Sequence, residues 1–124
     1  MTTWNLSGTR HHVFICNGVN CMNNQAEDVT RAVRAEITSH GVDSIIHTTR
    51  TLCQGRCEDA CVVTIYPDGI WYKEVTLGLA KSIVNRHLLH GEKMAENISY
   101  TYENTLLATT KGALGIPKKA ARNR

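Results

Sequence analysis

The chain contains five cysteines, and all of them lie in its first half: Cys16, Cys21, Cys53, Cys57 and Cys61. The first four form a C-x4-C pair and a C-x3-C pair with 31 residues between them. In a reducing compartment, an odd number of thiols favours metal ligands or redox groups over a disulfide framework. Four thiolates suit either a two-iron cluster or a structural zinc ion, and the spacing alone leaves both open. A thioredoxin-type redox site is disfavoured, because the sequence has no C-x-x-C motif.

The elements around the cysteines predict that the two pairs meet. The apolar run over residues 12–16 leads into an Asn- and Gly-rich loop, which indicates a buried strand followed by a turn. Valines and isoleucine at four-residue steps predict a helix over about residues 25–40, begun by an Asn24–Glu27 capping box and ended at Gly41. A strand over 43–51 follows. Because a strand–helix–strand unit forms a parallel crossover, both cysteine loops should lie at one edge of the sheet.

The remainder of the cysteine domain predicts a hairpin and a second helix. The runs CVVTIY and IWYKEV flank Asp68-Gly69, which is a typical hairpin turn. An apolar stripe over residues 77–90 predicts an amphipathic helix that ends at Gly91. The expected fold is therefore a two-layer α/β sandwich of thioredoxin type, with a mixed sheet of about four strands and two helices.

Length and charge predict one compact domain with a basic extension. A chain of 124 residues supports a single core, which we place at residues 11–91, after an N-terminal segment over 1–10 and before an extension over 92–124. Residues 104–124 contain five basic residues and no acid, whereas residues 1–103 have a net charge of −2. Residues 104–124 contain no aromatic residue between the basic ones, so nucleic acid is not an expected partner. With no secretory signal and no apolar run long enough for a membrane, we expect a cytoplasmic protein.

The segments HVFICNGVNC and LCQGRCEDACVVTIYPDGIWYKEV, with the helix end RHLLHG, resemble the thioredoxin-like [2Fe-2S] ferredoxins. The cysteine pairs are similar to those of the two-iron peripheral subunit of respiratory NADH dehydrogenase. The resemblance implies a one-electron carrier that often forms homodimers and exchanges electrons with a reductase and an acceptor protein. It also implies one [2Fe-2S] cluster per chain, ligated by Cys16, Cys21, Cys53 and Cys57.

Two other functions remain open at the level of sequence. The chain could be a zinc-bound structural or adaptor module. It could also be a redox partner dedicated to one pathway, such as tetrapyrrole or cobalamin synthesis or nitrogen fixation. No phosphate-binding loop or paired catalytic carboxylates indicate substrate chemistry, so we do not expect an enzyme. Cys61 is predicted to be a small buried residue, and Arg56 either raises the reduction potential or points into solvent.

Overall fold

The computed structural model describes residues 2–118, and its centre is a six-stranded mixed sheet with the order β2-β1-β3-β4-β5-β6. The strands are β1 (His11–Cys16), β2 (Ile46–Thr51), β3 (Val63–Tyr66), β4 (Ile70–Tyr72), β5 (Ile98–Glu103) and β6 (Thr105–Ala108). The helices are α1 (Val19–Asn23), α2 (Ala26–Ser39) and α3 (Leu77–Ser82), which continues as π-helical turns over Ile83–Leu88. Short 3-10 turns occupy Cys57–Asp59 and Ala95–Asn97. In residues 2–118, no helix has both the length and the apolar character needed to cross a bilayer.

The strands β1 and β2 are parallel, as the crossover predicts, and this arrangement positions the cysteines. Cys16 pairs with Thr51 at the end of both strands. The loops that follow the two strands therefore leave the sheet at the same edge. All other neighbouring strands are antiparallel.

One face of the sheet packs against the helices. Val13 and Ile15 of β1 are fully buried, and they belong to one core with Val29 and Val33 of α2. Helices α2 and α3 also contact each other. This alternation of buried residues along β1 and the four-residue steps along α2 are the patterns from which the two elements were predicted. The predicted two-layer α/β sandwich with a mixed sheet is therefore confirmed.

Helix α2 begins where the sequence predicts, but it is not capped as predicted. Its N-cap is Gln25, in a left-handed conformation with φ of 69°, and no side chain caps the helix. The predicted capping box of Asn24 and Glu27 does not form, because the turn α1 immediately precedes α2 and the Asn24 amide instead bonds Asn20. The three glycine predictions are confirmed, since Gly41, Gly69 and Gly91 all have positive φ, at the end of α2, in the β3–β4 turn and after the last helix.

The predicted number of about four strands is too low, because two further strands lie in the segment expected to lack regular structure. Strand β5 pairs with β4, and β6 pairs with β5. The alternation in β5 is masked by the polar sequence ISYTYE, of which only Ile98 and Ser99 are buried. The residues of β6 are all exposed, so burial imposes no apolar periodicity on them. Residues 119–124 of the basic extension lie outside the described residues.

Candidate metal centre

Four of the five cysteines line one pocket at the edge of the sheet where β1 and β2 end. The residues around this pocket are Cys16, Gly18, Asn20, Cys21, Cys53, Arg56 and Cys57. The first pair comes from the end of β1 and from α1, and the second pair comes from the loop after β2. The structure therefore brings together all four cysteines that the resemblance implies as ligands. We call this site the cysteine pocket.

Gly18 allows the two cysteine loops to approach each other closely. A Cβ atom at this position would lie 2.8 Å from Cys53 Cα and 2.9 Å from Cys53 Cβ, which is closer than real Cβ contacts. Gly55 serves a different purpose. Its surroundings are open, but its φ of 84° requires a conformation that other residues rarely adopt. This conformation lets the Gly55 N–H donate a hydrogen bond to Cys53 Sγ over 3.2 Å.

The thiols are arranged as two pairs. Cys53 Sγ lies 3.6 Å from Cys57 Sγ, close to the separation of about 3.8 Å that two thiolates adopt when each is about 2.3 Å from one tetrahedral metal ion. Cys16 and Cys21 line the same pocket and are its two buried thiols. Within residues 2–118, no three His, Cys, Asp or Glu side chains gather around a single metal position. Four thiolates in two pairs suit a cluster of two iron ions, and they also suit structural zinc, which requires four side chains around one ion.

The two pairs differ in exposure. Cys16 and Cys21 are 2% exposed, whereas Cys53 and Cys57 are exposed at the surface. Burial raises the pKa of the Cys16 thiol, and a hydrogen bond with Cys61 together with burial raises the pKa of Cys21. Both thiols are therefore protonated in the metal-free chain. A metal ion ligated by both thiols would displace these protons, because only thiolates ligate metals.

The fifth cysteine, Cys61, lies beside the pocket without lining it. It is 1% exposed and contacts Cys21 from the segment just before β3. The expectation of a small buried residue agrees with this burial. The hydrogen bond with Cys21 lowers the pKa of Cys61.

Arg56 does not point freely into solvent. Its side chain is 12% exposed and forms an ion pair with Asp59, with 2.7 Å between Nη2 and Oδ2. The same Nη2 donates to the carbonyl oxygen of Ala113. Neither Asp59 nor Ala113 was predicted from the sequence to contact Arg56. The i, i+3 spacing of Arg56 and Asp59 is a signal for the ion pair, but no local signal links either residue to a position more than 50 residues away.

Comparison with known proteins finds relatives along most of the chain. It is 48% identical over 103 residues to a protein of Priestia megaterium provisionally named a 2Fe-2S ferredoxin, covering 83% of this chain and 80% of the relative. It is 30% identical over 91 residues to a 2Fe-2S ferredoxin of Clostridium pasteurianum, covering 67% and 89% respectively. The structure superimposes on a thioredoxin-like [2Fe-2S] ferredoxin from Aquifex aeolicus with a TM-score of 0.70 and 26% identity, over 77% of this chain and 94% of that one. No protein-family model matches the chain.

Proposed function

Because the chain belongs to the thioredoxin-like [2Fe-2S] ferredoxins, we propose that the four thiols of the cysteine pocket ligate its one cluster: Cys16, Cys21, Cys53 and Cys57. The single observation that supports this assignment most strongly is that these four line one pocket as two pairs, while Cys61 lies outside the lining. The donor set fits the cluster, since iron–sulfur clusters bind to soft thiolates. The family membership also favours the cluster over the zinc-bound module that the spacing left open.

The chain is a one-electron carrier, and its own residues determine how the cluster is held and reached. When bound, a [2Fe-2S] cluster accepts and releases one electron. The buried pair, Cys16 and Cys21, excludes water from one side of the site. The exposed pair, Cys53 and Cys57, lies on the surface where a partner can approach. The Gly55 N–H stabilises the charge on Cys53 Sγ through its hydrogen bond, which favours the more negative reduced state.

We propose that the chain passes electrons from a reductase to an acceptor protein in the cytoplasm, and that it catalyses no substrate reaction itself. The first 103 residues carry nine Lys and Arg against eleven Asp and Glu. Four thiolates with an oxidised [2Fe-2S] core add about −2 to this negative charge. A partner with a basic docking patch therefore fits this charge, and its association should weaken as salt screens the charges.

We also propose a homodimer formed through the sheet face opposite the helices. This face carries a row of half-buried aromatic side chains, in which Phe14, Trp71 and Tyr100 occupy corresponding positions of β1, β4 and β5. Half-buried aromatic residues are enriched at subunit contacts. Light scattering should give twice the mass of the chain, and Trp71→Glu should give a monomer. A monomeric wild-type chain would contradict the dimer and leave the ligand assignment unaffected.

The ligand assignment is tested by single Cys→Ser variants of protein purified without air. The wild-type chain should contain about two iron and two acid-labile sulfide, with visible charge-transfer bands. A serine at any of the four ligand positions should abolish or severely destabilise the cluster, because it replaces a soft thiolate by a hard oxygen. Cys61→Ser is the matched control and should retain the cluster. The assignment is wrong if Cys61→Ser bleaches the protein while Cys57→Ser does not.

A further inference from the structure

The segment after β6 runs beside the first residues of β5 and reaches the second cysteine loop. We call residues 109–116 the C-terminal strap. At its start, the Thr109 N–H donates to the carbonyl of Ser99 over 2.9 Å, and its hydroxyl donates to the carbonyl of Ile98. These contacts anchor the strap to the first residues of β5. From there, the strap continues towards Arg56, which lies between two of the proposed ligands.

Arg56 and Asp59 hold the strap through both backbone groups of one residue. The Ala113 N–H donates to Asp59 Oδ1 over 2.9 Å, and Arg56 Nη2 donates to the Ala113 carbonyl over 2.5 Å. Arg56 also donates to Asp59 Oδ2 through Nε and Nη2. Asp59 is only 3% exposed, so each charge depends on the other for compensation. We call this arrangement the latch.

The strap is packed closely against the latch. A Cβ atom on Gly112 would lie 2.8 Å from Ser99 Cβ and 3.3 Å from Arg56 Nη2. A Cβ on Gly115 would lie 3.1 Å from Arg56 Nη1. The Arg56 guanidinium also stacks 4.9 Å from the ring centre of Tyr100. Arg56 is thus enclosed by the strap, by β5 and by Asp59, which leaves its side chain little freedom to move.

The latch connects the strap to the loop that carries the exposed ligands. Arg56 lies in the sequence Cys53-Gln-Gly-Arg-Cys57 and lines the cysteine pocket. An exposed loop of this kind has few contacts of its own, since its neighbouring residues face solvent. We propose that the strap fixes the Cys53–Cys57 loop in its ligating geometry, with Arg56 and Asp59 as positioning residues. This inference rests on the proposed assignment of Cys53 and Cys57 as ligands.

The test uses Gly112→Ala, which changes the strap and leaves the cysteine loop intact. Its added methyl group would lie 2.8 Å from Ser99 Cβ, so we expect the strap to shift away from β5 and to weaken its bonds with the latch. The matched control is Gly78→Ala, whose Cβ would meet only Thr76 Oγ1 at 4.0 Å. In the full-length holoprotein, an iron chelator should bleach Gly112→Ala about tenfold faster than the wild-type chain, equivalent to about 1.4 kcal/mol. The reduction potential should shift as well, because the loop also carries the Gly55 hydrogen bond to sulfur.

Two further measurements connect these effects to the latch. Amide hydrogen exchange should accelerate at Ala113 and Asp59 in Gly112→Ala and leave both unchanged in Gly78→Ala. Asp59→Asn provides a second route, since it keeps a side-chain oxygen for Ala113 but leaves the Arg56 charge without a counter-ion. Adding Ser99→Gly to Gly112→Ala removes the conflicting Cβ. The double variant should therefore bleach as slowly as Ser99→Gly alone.

Several outcomes would overturn the inference. One is faster exchange at Ala113 with an unchanged bleaching rate and potential, which would mean that the strap moves without affecting the loop. Another is unchanged exchange at Ala113 in both Gly112→Ala and Asp59→Asn, which would mean that the latch does not hold the strap. A wild-type chain without iron would instead refute the ligand assignment. In that case, exchange at Asp59 in the metal-free chain still decides whether the strap restrains the loop.

Discussion

The buried hydrogen-bond chain between β4 and the last helix makes the sharpest prediction about stability. The Tyr72 hydroxyl bonds His87 Nδ1 over 2.8 Å, and His87 Nε2 bonds Asp68 Oδ2 over 2.9 Å. The other carboxylate oxygen of Asp68 bonds His11 Nδ1 over 2.8 Å. The Met94 N–H donates to the Tyr72 oxygen over 3.3 Å. These bonds join the start of β1, the β3–β4 turn, the end of the helix and the segment before β5.

The change is Tyr72→Phe, which keeps the aromatic ring and removes only the hydroxyl. Tyr72 is 0% exposed and His87 is 1% exposed, so water cannot replace the lost partner without local opening. The variant leaves His87 Nδ1 and the Met94 N–H without their partner. One unsatisfied buried group costs about 1–3 kcal/mol, and the Met94 bond is long and therefore weak. We expect a loss of about 2 kcal/mol, or roughly 8 °C in the melting temperature of a domain of this size.

Anaerobic guanidinium unfolding followed by far-UV circular dichroism measures this loss. Tyr66→Phe is the matched control, because the Tyr66 hydroxyl accepts a hydrogen bond from Trp71 Nε1 over 3.0 Å at a half-buried position. Water can replace that bond, so the control should lose less than about 1 kcal/mol. The cluster bands should remain in both variants, since neither tyrosine lines the cysteine pocket. Equal losses in the two variants would refute the reasoning.

Three further predictions concern pH, potential and loop packing. Burial lowers the pKa of His87 below 6.5 despite the hydrogen bond to Asp68, so the unfolded chain binds a proton there that the folded chain does not. The free energy of unfolding should therefore fall as the pH decreases below about 7. In unfolding measured between pH 5 and 8, His87→Gln should reduce this dependence on pH. Arg56→Gln should lower the reduction potential by a few tens of millivolts, and Asp59→Asn should raise it. For one electron, about 59 mV corresponds to a tenfold change in the equilibrium constant. Equal midpoints in a redox titration would contradict this prediction. Gly18→Ala should reduce the iron content of anaerobically purified protein, because its Cβ would lie 2.8 Å from the backbone of the opposite cysteine loop; full iron content would show that the loops can separate.

The parts of the fold that sequence predicts are those determined by local patterns. The Asp68-Gly69 turn, the apolar stripe of α2 and the strand at β1 each lie within a few residues of their own signal. The cysteine site was predictable because a parallel crossover fixes where its two loops end. Strand β6 was not predictable, since its four exposed residues acquire their conformation only by pairing with β5.

The environment of Arg56 shows why the remaining details of the site lie beyond sequence. The sequence suggested either that Arg56 points into solvent or that it raises the reduction potential. Its bond to Ala113 was not predictable, because Ala113 lies 57 residues further along the chain. Gly55 gives a second example. Its surroundings are open, so the loop requires its positive φ and not its small size. In both cases the residue can be identified from the sequence, but its contacts or its backbone conformation depend on the tertiary structure.

The structure also explains how an electron carrier can expose two of its proposed ligands without losing them. Electron transfer requires the cluster to lie near the surface, and the exposed pair Cys53 and Cys57 meets this requirement. Exposure removes the packing that holds the buried pair in place, so the loop needs restraint from another source. The side chains that face solvent cannot provide it, whereas the latch lies beneath the loop, where Asp59 is buried. A buried ion pair is favourable only when both partners and their remaining hydrogen bonds are in place. The loop should therefore be either fully held or released, and it should not drift gradually from its ligating geometry.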